Sequence, residues 1–196
     1  RNAVGYVKVT APKGYTLASM DFNVMSGGNT VVDLIGDQLP SGSSVYFWNP
    51  ASQSYIGETK TRSGWGPGTN VITLGRALFM RVDQAAASNE YQVYLMGEVP
   101  ATTGQTYGVN GFYFQGYPYP VSVMWTNTDL SKLAASGDSV IIWDTTNQSY
   151  VSSAKTRSGW GAPGPTMVIQ PGQGFILRSS ASLTVNETKP YTWPAE

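Results

Sequence analysis

Apolar and polar positions along this chain alternate in short stretches, and Gly, Pro, Asn and Ser punctuate them. No long stretch keeps the 3.6-residue period of an amphipathic helix. This is the pattern of short β-strands joined by turns. The alternation predicts a strand over 5–10 and an extended segment over 16–24. A short helical turn over 31–35 follows, with Asn29-Thr30 as its N-cap. A hairpin comes next, 44–49 and 53–56, turning at Pro50-Ala51-Ser52. Strands over 71–74, 78–82 and 91–96 complete the series. From residue 111 the same order returns. The predicted elements are strands over 111–114 and 121–125 and a helical turn over 129–133 capped by Asn127-Thr128. A hairpin of 139–144 and 148–152 and strands over 167–169, 175–178 and 182–186 follow.

The recurrence is also one of identity. Lys60-Thr61-Arg62-Ser63-Gly64-Trp65-Gly66 is repeated as Lys155-Thr156-Arg157-Ser158-Gly159-Trp160-Gly161, 95 residues later. The match runs back to Val45 and Val140 without a gap, giving 12 identities in 22 positions. Gly75 to Arg81 then matches Gly172 to Arg178 at an offset of 97. Two copies of one structural unit explain this spacing. The expected organisation is all-β. Two tandem, internally duplicated β-sandwich-like lobes, jelly-roll-like in outline, carry one short helical turn each. The first copy is 1–101 and the second 102–196, joined near Pro100–Gly104.

Composition places this β chain outside the cell. Only 24 of 196 residues are charged, 12 basic and 12 acidic, so the formal net charge is zero. Polarity comes from Ser, Thr, Gly and Asn instead. A neutral surface suits neither nucleic acid nor an anionic membrane. It also offers little electrostatic protection against self-association. No apolar run is long enough to cross a membrane. The opening Arg1-Asn2-Ala3 lacks Met and reads as a mature end left after leader removal.

The chain contains neither Cys nor His. Disulfides, thiolate chemistry, Ser-His-Asp triads and the usual zinc ligands are therefore excluded, and no cofactor is expected. Carboxylates are the remaining route to catalysis, since a glycosidase needs only two at a suitable separation. None lies in a recognisable motif, and the expectation is a protein that is not an enzyme. Asn147-Gln148-Ser149 and Asn186-Glu187-Thr188 are glycosylation sequons, making Asn147 and Asn186 candidate modification sites.

The aromatic residues carry the remaining candidates. In the heptapeptide, Arg62 and Arg157 stand three residues before Trp65 and Trp160. One reading is a folded loop with Trp plugging the lobe and a guanidinium stacked on it. The other is a presented Trp-Arg surface for a sugar or a neighbouring subunit. Trp48 and Trp143 read as core. Phe112, Tyr113, Tyr117 and Tyr119, interleaved with Pro118 and Pro120, form an aromatic cluster without a counterpart in the first copy. It reads as a glycan-stacking face, an intersubunit contact or a seam between lobes.

Val140, Trp143, Gln148-Ser149-Tyr150, Gly159-Trp160 and Pro171-Gly172-Gln173-Gly174-Phe175 form a pattern. It resembles repeated Gly/Trp-rich β domains in large secreted and surface proteins of environmental bacteria. The first copy departs at Leu74-Gly75-Arg76-Ala77-Leu78. The resemblance implies an extracellular or cell-surface setting and a structural or adhesive role.

These readings converge on a non-enzymatic secreted structural subunit of a filament, sheath or surface layer. Its partners would be copies of itself, joined through β-edges and aromatic contacts, with residues 3–10 as a candidate donor strand. The alternative is a carbohydrate-binding or adhesive module whose partner is a polysaccharide. The third reading is a secreted carboxylate-dependent glycosidase.

Overall fold

The computed structural model describes residues 2–196, and the chain is mostly β with antiparallel sheets. In the N-terminal half, β1 (Val4–Pro12) pairs along its length with β7 (Glu90–Glu98). A five-stranded sheet in the order β2-β6-β3-β4-β5 follows, from β2 (Gly14–Ser19), β6 (Ala77–Val82), β3 (Ser44–Asn49), β4 (Ser54–Thr61) and β5 (Gly64–Gly66). Among the described residues of this half the one α-helix is α1 (Val31–Leu34), where Thr30 and Asp33 form a reciprocal capping box.

The C-terminal half holds a five-stranded sheet in the order β12-β11-β10-β14-β8. Its strands are β8 (Gly104–Gly116), β10 (Ser139–Asp144), β11 (Ser149–Thr156), β12 (Gly159–Trp160) and β14 (Gly174–Thr188). A two-residue pair, β9 (Val123–Met124) with β13 (Val168–Ile169), stands apart from it. The helix α2 (Asp129–Leu133) is capped by Thr128, whose hydroxyl accepts from Ser131 N.

The strand correspondence differs from the expected one. Residues 111–116 of β8 pair with the start of β14 as β2 pairs with β6, so the counterpart of 111–114 is β2 rather than 5–10. The counterpart of β1 is the start of β8, residues 104–110. In the C-terminal half each such pair fuses into one long strand, bulged in β14 between Ser179 and Leu183. In the N-terminal half the run breaks at Lys13 and over 83–89. The expected strand over 71–74 is absent. Only an isolated bridge between Thr30 and Val71 forms there, because that backbone is spent on the entry to α1 through Val31 N to Asn70 O and Ile72 N to Asn29 O.

Apolar burial falls into three clusters. One is drawn wholly from the N-terminal half, around Met20, Ile35, Phe47, Ile72 and Leu95. A second is drawn wholly from the C-terminal half, around Tyr119, Trp125, Leu130 and Phe175. The third joins the halves: Leu17, Ala77 and Phe79 meet Phe114 and Ile176, with Tyr46, Trp48, Ile141 and Trp143 packed against them. Backbone bonds stitch the same seam, Ser19 N to Gly172 O at 2.9 Å and Gly116 N to Gly75 O at 2.8 Å. Ala3 and Glu196 dock beside the segment that crosses between halves. Val99 N donates to Ala3 O, and the Thr103 hydroxyl donates to the Glu196 carboxylate.

Candidate functional site: an aromatic seam and an open strand

The heptapeptide is explained almost residue by residue. Lys60 Nζ donates to Leu39 O and pairs with Asp37 at 2.9 Å. Lys155 Nζ reaches Ser131 O, Lys132 O and Ala134 O at 2.9, 3.1 and 2.5 Å. Both lysines therefore satisfy carbonyls that a short helical segment leaves unpaired. The indoles help: Trp65 Nε1 donates to Gly36 O and Trp160 Nε1 to Ser131 O. The Thr61 and Thr156 hydroxyls accept from Ser63 N and Ser158 N, and Gly64 and Gly159 both sit at φ +110°. Half-buried Trp65 and Trp160 thus fit the plug reading. The expected guanidinium stack is not formed. The cation over Trp160 is Lys155, 5.9 Å from the ring centroid, and Arg62 and Arg157 are exposed.

The hairpin motif Trp-x6-Tyr, present in both copies, builds the seam. Trp48 Nε1 donates to Phe112 O at 2.7 Å, and Trp143 Nε1 donates to Tyr15 O at 2.8 Å. The Gln53 side-chain amide binds both backbone groups of Phe112, and that of Gln148 binds both of Tyr15. Each half thus grips one residue of the other. Gly14 and Gly111 precede the gripped residues. A Cβ at either would come within 2.5 or 2.7 Å of the Gln amide oxygen.

Around these grips lie two clefts, each about 390 Å³. One is walled by Tyr15, Tyr46, Tyr55, Phe79, Trp143 and Tyr150. The other is walled chiefly by Trp48, Tyr55, Phe112, Phe114, Ile141 and Tyr150. Tyr55 and Tyr150 belong to both and form the ridge between them. Trp48 stacks on Phe114 at 5.2 Å, while Trp143 meets Tyr150 edge-on at 4.9 Å. Burial, then the neighbouring Tyr150 phenol, push the Tyr55 hydroxyl well above its ordinary range, so it stays protonated at neutral pH. Of the residues singled out in the sequence, Phe112 lines a cleft. Tyr113 lines a separate cavity of about 340 Å³ beside Arg76. Tyr117 and Tyr119 are buried in the C-terminal core. Sequence reasoning missed Tyr15, Tyr46, Tyr55 and Tyr150. The signal available was the register in which Trp48 faces Tyr55 and Trp143 faces Tyr150 on adjacent strands.

A second surface lies on β1 and β7. Val4, Tyr6, Tyr94 and Met96 share its outer face at 57, 61, 41 and 54% exposure. Tyr6 pairs across with Met96, and its ring lies 5.5 Å from that of Tyr94. The far edge of β7 is closed by the Gln38 amide on Tyr94 and by Asn23 on Glu98. The far edge of β1 takes no ladder partner among the described residues. Residues 3–10, the candidate donor strand, are thus paired with their own chain on one side only. The corresponding face of the C-terminal half presents Thr106, Gly108, Thr184 and Asn186.

The carboxylates serve the backbone. Glu58 accepts from Gly68 N and Asn70 N. Glu187 accepts from Asp129 N and Leu130 N, and burial raises its pKa. Asp138 accepts from Ala135 N and Ser180 N. Asp21, in the seam, accepts from Gly172 N at 2.5 Å and from the Ser19 hydroxyl. Among the described residues no group of three or more Asp or Glu side chains is placed to hold a metal ion. Of the candidate sequons, Asn147 lies in an exposed turn with its amide on Asp144, and Asn186 is exposed on β14. No helix among the described residues is long and apolar enough to cross a membrane.

No family model, curated protein or solved structure matches the chain.

Proposed function

We propose that this chain is a non-enzymatic, secreted structural subunit built from two copies of one β unit, 1–101 and 102–196. Its copies associate at the cell surface through the β1–β7 sheet. The observation that carries this reading is the conjunction of β1's open edge with the exposed stripe Val4, Tyr6, Tyr94 and Met96. An unpaired strand edge is a template for another chain, and proteins normally blunt it. Here β7's edge is closed by hydrogen bonds, whereas β1's backbone edge stays open and its exposed face carries a single charge, Lys8. The equivalent face of the other half is polar, so the unit itself does not require apolar residues there. A formal net charge of zero removes long-range repulsion between copies. The use of carboxylates as backbone caps supports a role without catalysis.

Light scattering and negative-stain microscopy of the chain test this. The expected outcome is concentration-dependent assembly that Tyr6→Lys with Met96→Lys abolishes while the near-ultraviolet circular dichroism is kept. A species that stays at 21.1 kDa at high concentration overturns the proposal.

A further inference from the structure

We infer that the paired clefts across the seam bind a neutral polysaccharide, one chain lying over the ridge of Tyr55 and Tyr150. This stands apart from the assembly reading, because the clefts lie at the seam and share no residue with the outer face of β1 and β7.

Four observations select the ligand chemistry. The first is charge: no Asp, Glu, Lys or Arg side chain walls either cleft, so nothing there would repay desolvation of a charged ligand. The second is shape. Each cleft, at about 390 Å³, lies within the roughly 300–1,000 Å³ of small-molecule sites, and aromatic faces form most of the walls. A pyranose ring offers an apolar C–H face to such walls. The third is the supply of polar groups. Both indole N–H groups are already spent on the carbonyls of Phe112 and Tyr15. Phenol hydroxyls remain, and each can donate and accept. That suits a hydroxyl-rich ligand. A proline-rich peptide, the other usual occupant of aromatic grooves, would use only the donor half of these hydroxyls, whereas a sugar hydroxyl uses both.

The fourth observation is the duplication of the walls. Tyr15 and Phe112 occupy matching places, as do Tyr46 and Ile141, Phe79 and Ile176, and Trp143 and Trp48. Two clefts that share one ridge accommodate successive rings of a chain better than one isolated sugar. The first cleft keeps four tyrosines and the second is more aliphatic, so the two ends of the bound segment meet different polarity.

The test uses the full chain titrated with neutral hexasaccharides (cellohexaose, xylohexaose, laminarihexaose and mannohexaose). Decaproline is the comparison, and tryptophan fluorescence and calorimetry are the readouts. At least one hexasaccharide is expected to bind saturably and more tightly than its disaccharide. Tyr55→Ala and Tyr150→Ala should each weaken it roughly tenfold, the scale of one lost aromatic contact. Tyr55 and Tyr150 are 48% and 53% exposed, so these variants should fold. Tyr55→Phe, which keeps the ring, should retain most of the affinity and guards against a misfolded Ala variant. Tyr6→Lys with Met96→Lys should bind like the parent, which separates this result from that of the assembly test. Absence of saturable binding into the millimolar range overturns the inference. So does undiminished binding by the Tyr55→Ala/Tyr150→Ala double variant, or binding of decaproline alone.

Discussion

Asp21 is a carboxylate buried in the seam between the halves. Burial raises its pKa from 3.8 to about 7, against the lowering effect of the Gly172 N–H and the Ser19 hydroxyl. In the unfolded chain it titrates near 3.8. The folded state therefore holds the proton more tightly, and the associated stability is complete below about pH 4. It is lost as pH rises through about 7 and changes no further above that. A difference of this size corresponds to a few kcal/mol. Asp21→Asn keeps an acceptor for Gly172 N and has no proton to lose. Urea denaturation of the parent across this range should show stability falling with pH, and the Asn variant should show a markedly flatter profile. Glu187, also raised by burial, adds a slope of the same sign.

At the scale of elements, the repeated heptapeptide ties a hairpin to a helix end. Lys155→Met removes a charged donor from three carbonyls and should cost about 1–3 kcal/mol. Arg157→Ala, exposed and without a polar partner among the described residues, should stay within about 0.5 kcal/mol. Thermal unfolding of the two variants checks the contrast. The same element marks how much was legible in the sequence. The helical turns, the hairpins and the β class followed from period-two alternation and from Thr caps, which are local signals. The plug role of Trp65 and Trp160 was one of two open readings. Its partner, a helix carbonyl 29 residues away, is a tertiary fact. The pairing of β2 with residues 111–116 as equivalents was hidden because one half breaks its long strands and the other does not. The cleft escaped for a related reason. Each wall mixes residues from both halves, and no window of sequence contains them together.

At the scale of the molecule, the two halves are held by a small apolar cluster and by reciprocal grips on single residues. Gln53 and Gln148 both sit at φ +51°, a conformation in which the side chain reaches across the seam. Removing both amides with Gln53→Ala and Gln148→Ala leaves each half its own core. Calorimetry should show a transition lower and broader than the parent's, because cooperativity between the halves depends on the seam, while the apolar cluster and the indole and backbone bonds that remain keep the halves coupled.

The docking of Ala3 and Glu196 beside the crossing segment has a topological consequence. Ala3 is bonded to Val99 and Glu196 to Thr103, and four peptide steps span at most about 15 Å. Entry and exit therefore lie close together on one side of the molecule. A short linker can join them, with new termini opened in the exposed turn at 84–88, to give a circular permutant with the same contacts. The whole unit can equally be spliced into a surface loop of a host protein, which would feel it as a narrow-necked insertion rather than as a break in its backbone.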